Sequence, residues 1–229
     1  MRLHLGILAA LTLLPLGHAW AQEIPRIKAR IVSFDGKTLS VTSGTTGQNL
    51  AVGLLPTTRL MYEAKADLVA IKPGDYLGAT LGKSGSGWEA EEAHLLPEML
   101  RGVGEGFYPL PSNPDHRIVT GEVVKNDTAT SQMTLAFRGS VGSDGPTCTG
   151  RAPSQGGCKG ALTFALQPKA SVIAIKPGDK SMLVAGKVAA ISVIAGPDGH
   201  LVTPGLTVEN ETGGEVLNIA PKPAKPPGK

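Results

Sequence analysis

The amino-acid sequence predicts an all-β protein that contains two copies of one unit, each a small barrel or sandwich. Short runs alternate between apolar and polar residues, turn residues separate them at regular intervals, and helical periodicity is almost absent. The hexapeptide Ala-Ile-Lys-Pro-Gly-Asp occurs at 70–75 and again at 174–179. Each copy follows one short apolar run and precedes another, which indicates a duplication.

The first residues are typical of a secretory signal. Arg2 precedes an apolar run at 5–16, and Ala-Trp-Ala at 19–21 matches a small-x-small cleavage site. The run is too short to span a bilayer core of about 30 Å as a helix, and an uncleaved anchor would need a longer one. We therefore expect residues 1–21 to be a signal peptide, with no transmembrane segment after cleavage and a periplasmic or secreted protein.

The elements of the first unit begin with a hairpin. Asp35-Gly36 lies between two alternating runs at 31–34 and 37–41, and this dipeptide favours a tight turn between strands. The next predicted elements are strands at 49–54 and 58–62, a helical turn within 64–70, and a hairpin of 76–81 with 88–95. The first barrel is thus expected at 22–96.

The second unit repeats this order and is expected at 118–210. Its predicted strands are 118–125, 132–137, 161–166, 171–175, 187–194 and 200–208. The identical hexapeptides give an offset of 104 residues, but an offset of 112 aligns the turn at 82–87 with that at 196–199 and fits the strand order better. The Pro- and Lys-rich end, 211–229, is predicted to be a disordered tail.

Cys148 and Cys158 are the two cysteines, and they lie in a stretch rich in Gly, Ser, Pro and Thr. In an oxidising compartment such a pair favours a disulfide. The alternative, a metal or redox pair, lacks Cys-x-x-Cys spacing and has no histidine within the loop.

The segment 97–117 between the units is rich in glycine. Gly102, Gly104 and Gly106 allow sharp bends or a close backbone approach. Arg101 lies between two acidic residues, Glu98 and Glu105, and could form a bidentate pair with either. Two interpretations remain open: a loop that grips a ligand at a domain interface, or a connector that fixes the orientation of two barrels.

The same segment carries a resemblance to a known family. Pro97-Glu98-x-Leu100-Arg101-Gly102-x-Gly104-Glu105-Gly106 resembles the linker motif of an exported bacterial family of tandem OB-like barrels, classed as a domain of unknown function. The similarity covers most of residues 24–208. It implies two tandem small OB-like barrels joined by a glycine-rich linker, and export, but no activity. Family members usually follow the motif with a histidine, whereas Phe107-Tyr108 stands here.

Charge, aromatic content and motif spacing narrow the classes of function that the sequence allows. The chain has 22 basic and 19 acidic residues, with only nine aromatic side chains (four Phe, three Tyr and two Trp), so basic patches with stacking rings for nucleic acid are not expected. No catalytic motif has the required spacing, and no enzyme activity or cofactor is expected. We expect an exported non-enzymatic binding or envelope-associated module for an unknown protein or small molecule. The alternative is a periplasmic metal-handling protein that uses His94 or His116 with neighbouring carboxylates.

Overall fold

The computed structural model describes residues 25–111, 113–141 and 147–210. The predicted signal peptide, 1–21, and the predicted tail, 211–229, lie outside these residues. The strands are β1 (Arg26–Phe34), β2 (Thr38–Ser43), β3 (Asn49–Lys65), β4 (Tyr76–Ser84), β5 (Gly87–Leu96), β6 (Gly106–Leu110), β7 (Asn113–Asp127), β8 (Gln132–Val141), β9 (Cys148–Arg151), β10 (Cys158–Pro177), β11 (Val188–Ala195) and β12 (Leu201–Val208). Three 3-10 turns, Leu68–Ala70, Glu98–Leu100 and Lys180–Met182, complete the regular structure of this part of the chain.

The all-β prediction is confirmed, and the Asp35-Gly36 hairpin forms between β1 and β2. Gly36 has a φ of 97°, and Asp35 Oδ1 accepts backbone hydrogen bonds from Lys37 at 2.8 Å and Thr38 at 2.6 Å. Two pairs of predicted strands prove to be continuous: 49–54 with 58–62 in β3, and 161–166 with 171–175 in β10. Both strands are long because each changes partners along its length, which short sequence windows do not reveal.

The strand pairings close into two cycles of five strands. In the first cycle the order is β1, β2, β3, β12, β11 and back to β1, with β3 and β12 parallel. In the second cycle the order is β7, β8, β10, β5, β4 and back to β7, with β10 and β5 parallel. Every other pairing within the cycles is antiparallel. Each cycle therefore joins a three-strand meander to a hairpin.

Each cycle encloses its own hydrophobic core. The first core contains Ile31, Leu39 and Ile191, which are at most 1% exposed. The second core contains Leu77 and Phe164, of which Phe164 is 2% exposed. Aliphatic side chains fill most of both cores, as the scarcity of aromatic residues in the sequence requires.

The hairpins are exchanged between the two halves of the chain. The expected division groups β4 and β5 with β1–β3 in 22–96, whereas hydrogen bonds and core packing group them with β7, β8 and β10. Likewise β11 and β12 complete the cycle of β1–β3, although they follow β10 in the chain. Each cycle thus contains strands from both halves. The first cycle is split between β1–β3 and β11–β12, and the second cycle is formed by the intervening stretch of chain from β4 to β10.

The offset of 112 residues relates equivalent positions in the two halves. Gly74 and Gly186, which precede the exchanged hairpins, have φ values of 93° and 91°. The amide of Gly74 donates to the Val123 carbonyl of β7 at 2.9 Å, and that of Gly186 donates to the Ile31 carbonyl of β1 at 2.8 Å. The two crossings therefore have the same geometry.

The long strands β3 and β10 hold the cycles together. They pair antiparallel where the cycles meet, from Lys65 opposite Ile173 to Met61 opposite Pro177. This junction is called the seam below. It lies between two equivalent strands, so side chains from both halves meet along it.

The remaining strands cover one side of the second cycle. β6 pairs with β7 and β9, and β9 pairs with β8. The predicted disulfide is confirmed: Cys148 on β9 and Cys158 on β10 are bonded, with their Cα atoms 5.6 Å apart. The bond joins two strands that lie on either side of the end of β8.

Candidate functional site

The glycine-rich segment packs against the second cycle, and Arg101 makes several of the polar contacts that hold it there. Its Nε donates to the carboxylate of Glu98 at 2.7 and 2.9 Å, and its Nη1 donates to Glu122 at 3.2 Å. Its Nη2 donates to the Gly74 carbonyl at 2.8 Å, and its guanidinium carbon lies 5.4 Å from the centre of the Tyr76 ring. Arg101 therefore ties this segment to β4, β7 and the turn before β4, all within one cycle.

Glu105 pairs with a different arginine, Arg138 on β8. The Arg138 backbone amide, Nε and Nη2 donate to the Glu105 carboxylate at 2.8, 2.9 and 2.8 Å. The Glu105 side chain is only 12% exposed, whereas that of Glu98 is 76% exposed. The more buried ion pair of the linker motif is thus Glu105 with Arg138. These residues are 33 positions apart, so their spacing in the sequence does not indicate the contact.

The three glycines of the motif differ in the space that a side chain would have at each position. All three have positive φ: 84° at Gly102, 67° at Gly104 and 134° at Gly106. A Cβ on Gly106 would overlap the Gly150 carbonyl and Arg151 of β9, while a Cβ on Gly102 would meet no atom within 4 Å. The segment 97–117 is therefore a folded connector that begins with a 3-10 turn and ends in β6 and β7.

The two candidate metal-binding histidines lie in separate pairs. His94 Nε2 is 3.3 Å from Glu92, and His116 Nε2 is 3.2 Å from Glu91. Burial lowers the pKa of His94, and the Glu92 carboxylate acts in the opposite direction. Within the described residues no three His, Cys, Asp or Glu side chains are arranged to hold a metal ion.

A groove of about 520 Å³ lies along the seam, and we call it the seam groove. Its walls come from the end of β3, the middle of β10 and the residues after β12. Apolar side chains, among them Leu68, Leu166 and Val172, form one part of it, and Glu63 and Asn210 are among its polar residues. Both halves of the chain are needed to build this groove.

A wide bulge in β10 shapes the groove. Leu166 is opposite Ala90 of β5 and Ser171 is opposite Glu92, so residues 167–170 face the single residue Glu91. Pro168 lies inside the bulge, where a residue without an N–H does not interrupt the ladder. Bulges of this kind often redirect side chains beside functional sites.

The seam also carries a group of interacting charges. Burial raises the pKa of Glu63 and the carboxylates of Glu209 and Glu92 raise it further, while a backbone hydrogen bond from Asn210 and the charge of Lys28 act in the opposite direction. Lys28 Nζ pairs with Glu209 at 2.9 Å. The Glu63 carboxyl therefore gains more from a hydrogen-bond donor or a cation in the groove than an isolated surface carboxyl would.

A second cavity of about 490 Å³ lies on the outer side of β4, β5 and β7, and we call it the His116 pocket. His116, Glu91, Trp88 and Lys83 line it, and Lys83 Nζ lies 5.2 Å from the centre of the Trp88 ring. Gly82 leaves the space open, because a Cβ there would lie 3.2 Å from the Glu91 carboxylate.

Two of the six predicted binding residues of the linker motif line a smaller cavity of about 310 Å³. Glu98 and Arg101 form one side of it, and Tyr76 and Lys176 contribute to the rest. Burial raises the pKa of Tyr76 to about 12, so its hydroxyl stays protonated at neutral pH. Gly102, Gly104, Glu105 and Gly106 do not line this cavity.

No protein-family model, curated protein or solved structure matches the chain. Among the described residues there is no helix with the length and hydrophobicity needed to cross a bilayer.

Sequence reasoning missed both the seam groove and the His116 pocket. The groove depends on pairing between β3 and β10, and no local pattern encodes that pairing. One signal was present: Gln167-Pro168 separates the two predicted strands 161–166 and 171–175, and proline within a strand run points to an edge or a bulge.

Proposed function

We propose that the protein is an exported, non-enzymatic binding or envelope-associated module in which two OB-like barrels hold a ligand in the seam groove. The observation that carries the proposal is the position of this groove. It is the largest of the three cavities described above, it lies where the two strand cycles meet, and it combines an apolar wall with a carboxyl of raised pKa.

The connectivity supports two OB-like barrels. A three-strand meander followed by a hairpin, closed by a parallel pairing of the third and fifth strands, is the arrangement expected of a small five-stranded Greek-key barrel. The first cycle has this order, with β3 and β12 parallel. The second cycle has the same pairings, with β10 and β5 parallel, but its hairpin precedes its meander in the chain. The linker motif's resemblance to an exported family of tandem OB-like barrels agrees with this proposal.

Two features support export to the periplasm or the medium. Arg2, the apolar run at 5–16 and the small-x-small site at 19–21 have the order of a secretory signal. The bond between Cys148 and Cys158 is of a kind that persists in oxidising compartments.

The walls of the seam groove indicate the chemistry of its ligand. Leu68, Leu166 and Val172 favour an apolar body, and Glu63 favours a cationic or hydrogen-bond-donating group next to it. A donor at this point would offset the repulsion that Glu63 experiences from neighbouring carboxylates. The proposed ligand is therefore amphipathic, with a basic or amide group beside an aliphatic part.

NMR titration with n-hexylamine, which has both features, tests the proposal. We expect backbone amide shifts of 15N-labelled protein to cluster at 63–68 and 166–173, with saturable binding that weakens severalfold in Glu63→Gln. Asp198→Asn is the matched control, because the Asp198 carboxylate accepts a hydrogen bond from the backbone amide of His200 within its own turn. Shifts that cluster elsewhere, or that are the same in Glu63→Gln and the parent, would contradict the proposal.

A further inference from the structure

We infer that the seam groove and the His116 pocket form one continuous track for an extended peptide, which crosses the bulge of β10 at Gln167. This inference rests on the proposed function, because it assigns the class of ligand that the seam groove accepts. The direct observation is that Gln167 lines both cavities, so the two share a wall.

The bulge is what brings the cavities together. Residues 167–170 stand opposite Glu91 alone, and Glu91 itself lines the His116 pocket. A regular ladder would place Gln167 beside one partner on β5 and would close the passage. The bulge instead carries Gln167 and Pro168 outward, between the two cavities, and leaves these residues out of register with β5.

Charges at the two ends are complementary to a dipolar linear ligand. Lys83 and Arg117 line the His116 pocket, and neither forms an ion pair with another described residue. At the opposite end lies Glu63, which is half-buried among other carboxylates. A peptide with an acidic group at the pocket and a basic side chain at the groove satisfies both ends.

The middle of the track favours a peptide over other linear molecules. Leu166 and Leu68 offer apolar contacts that a saccharide chain does not match. An acyl chain matches them, but it offers no polar group of its own to Glu63 or Lys65, whose partial desolvation is unfavourable. A peptide alternates polar and apolar side chains and also carries backbone amides that can bond to a displaced strand segment.

The track sets the length of the peptide. From Gln167 to Ile173 the strand advances six residues, which at about 3.3 Å per residue corresponds to at most about 20 Å. An extended segment of at most about six residues therefore fills the seam groove, and the His116 pocket beyond Gln167 takes the residue or residues that follow it.

Selection from a phage library of random heptapeptides tests the inference. The protein displayed for selection is residues 22–229, and a synthetic copy of the enriched peptide is then titrated by calorimetry. Trp88, the only tryptophan in that stretch, reports occupancy of the His116 pocket through its fluorescence. The variants are Gln167→Trp at the shared wall, Lys83→Glu at one end and Glu63→Lys at the other, with Lys159→Glu on an exposed part of β10 as the control.

We expect one family of peptides with an acidic and a basic residue separated by apolar positions. Each of the three variants should weaken binding at least tenfold and the control less than twofold, while the peptide quenches or shifts Trp88 emission. Exchanging the peptide's basic residue for an acidic one should restore binding to Glu63→Lys.

Three outcomes would overturn the inference. Loss of binding in Glu63→Lys alone, with Trp88 unaffected, would leave the seam groove as the site and contradict a continuous track. No enriched peptide, together with hexylamine shifts at the groove, would contradict a peptide ligand and leave the proposed function standing. Saturable binding of maltohexaose at the same residues would assign the track to a saccharide.

Discussion

The backbone amide of Gly74 donates to the carbonyl of Val123 at 2.9 Å, and Val123 in turn donates to Asp75 at 2.8 Å. These bonds fasten the start of the first exchanged hairpin to β7, a strand of the other half. Gly186 and Ile31 form the equivalent bond in the first cycle at 2.8 Å. The two halves of the chain are therefore interlocked, and the seam groove is a product of that interlocking.

Replacing Glu105 should destabilise the protein more than replacing Glu98. Glu105→Ala removes the acceptor of three hydrogen bonds from Arg138, and the loss of a largely buried charged partner costs roughly 1–3 kcal/mol. Glu98→Ala removes an exposed partner of Arg101 and should cost under about 1 kcal/mol. Urea denaturation of both variants measures the difference, and equal losses would contradict it.

Glu63→Gln should stabilise the protein at neutral and alkaline pH. Because the folded state raises the pKa of Glu63, the folded state binds this proton more tightly than the unfolded state does. The stability that protonated Glu63 contributes in the parent protein is fully present below the unfolded pKa near 4.5 and is lost as the pH rises through the folded pKa. Thermal melts should therefore show a higher melting temperature for Glu63→Gln than for the parent at pH 8, with a difference that shrinks towards pH 4. A difference that grows on acidification would contradict the prediction.

Gly106→Ala should disrupt the contact between β6 and β9. The new Cβ would overlap the backbone of Gly150 and Arg151, and such overpacking typically costs about 1–3 kcal/mol. Gly102→Ala is the control: the space around it is open, so only the strain of its positive φ, about 1 kcal/mol, applies. Hydrogen exchange should show faster exchange at 106–110 in Gly106→Ala alone. Equal protection of residues 106–110 from exchange in both variants would contradict this prediction.

The double variant Cys148→Ser with Cys158→Ser should remain folded. The bond closes a short loop at the edge of β8, and its loss should cost no more than about 3 kcal/mol. Mass spectrometry of the unreduced parent should show one linked peptide and a mass two hydrogen atoms below the reduced form. Unfolding of the double variant at room temperature would show that the loop supports more of the second cycle than its pairings indicate.

The local elements were predictable because their signals are local. Asp35-Gly36 predicts its hairpin, and the turn expected within 64–70 contains the 3-10 turn Leu68–Ala70. The exchange of hairpins was not predictable, because β4 and β5 alternate in a way that fits either meander equally well. The arrangements differ in the pairings that join each hairpin to its meander, β1–β11 with β3–β12 and β4–β7 with β10–β5, and most of these join residues that are far apart in the chain.

The same contrast holds for the candidate site. Glu98 and Arg101 are three residues apart, and their contact follows from spacing on a 3-10 turn. Glu105 meets Arg138 only because β6 lies beside β7 and β8, so the expectation that Arg101 had two equivalent partners could not be refined from the sequence. The expected role of Arg101 between two barrels also changes, since all of its described contacts lie within the second cycle.

Cleavage of the chain between its halves tests the interlocked arrangement most directly. A protease site inserted after Pro111 separates residues 1–111 from 112–229 without breaking either exchanged hairpin. The disulfide lies wholly in the second fragment, so no covalent bond would join the products. We expect the two fragments to co-elute at the mass of the intact protein in native buffer, with unchanged circular dichroism, and to separate only in denaturant. Fragments that separate in native buffer and each stay folded would show that each half forms its own barrel, which would contradict the exchange and the seam groove that depends on it.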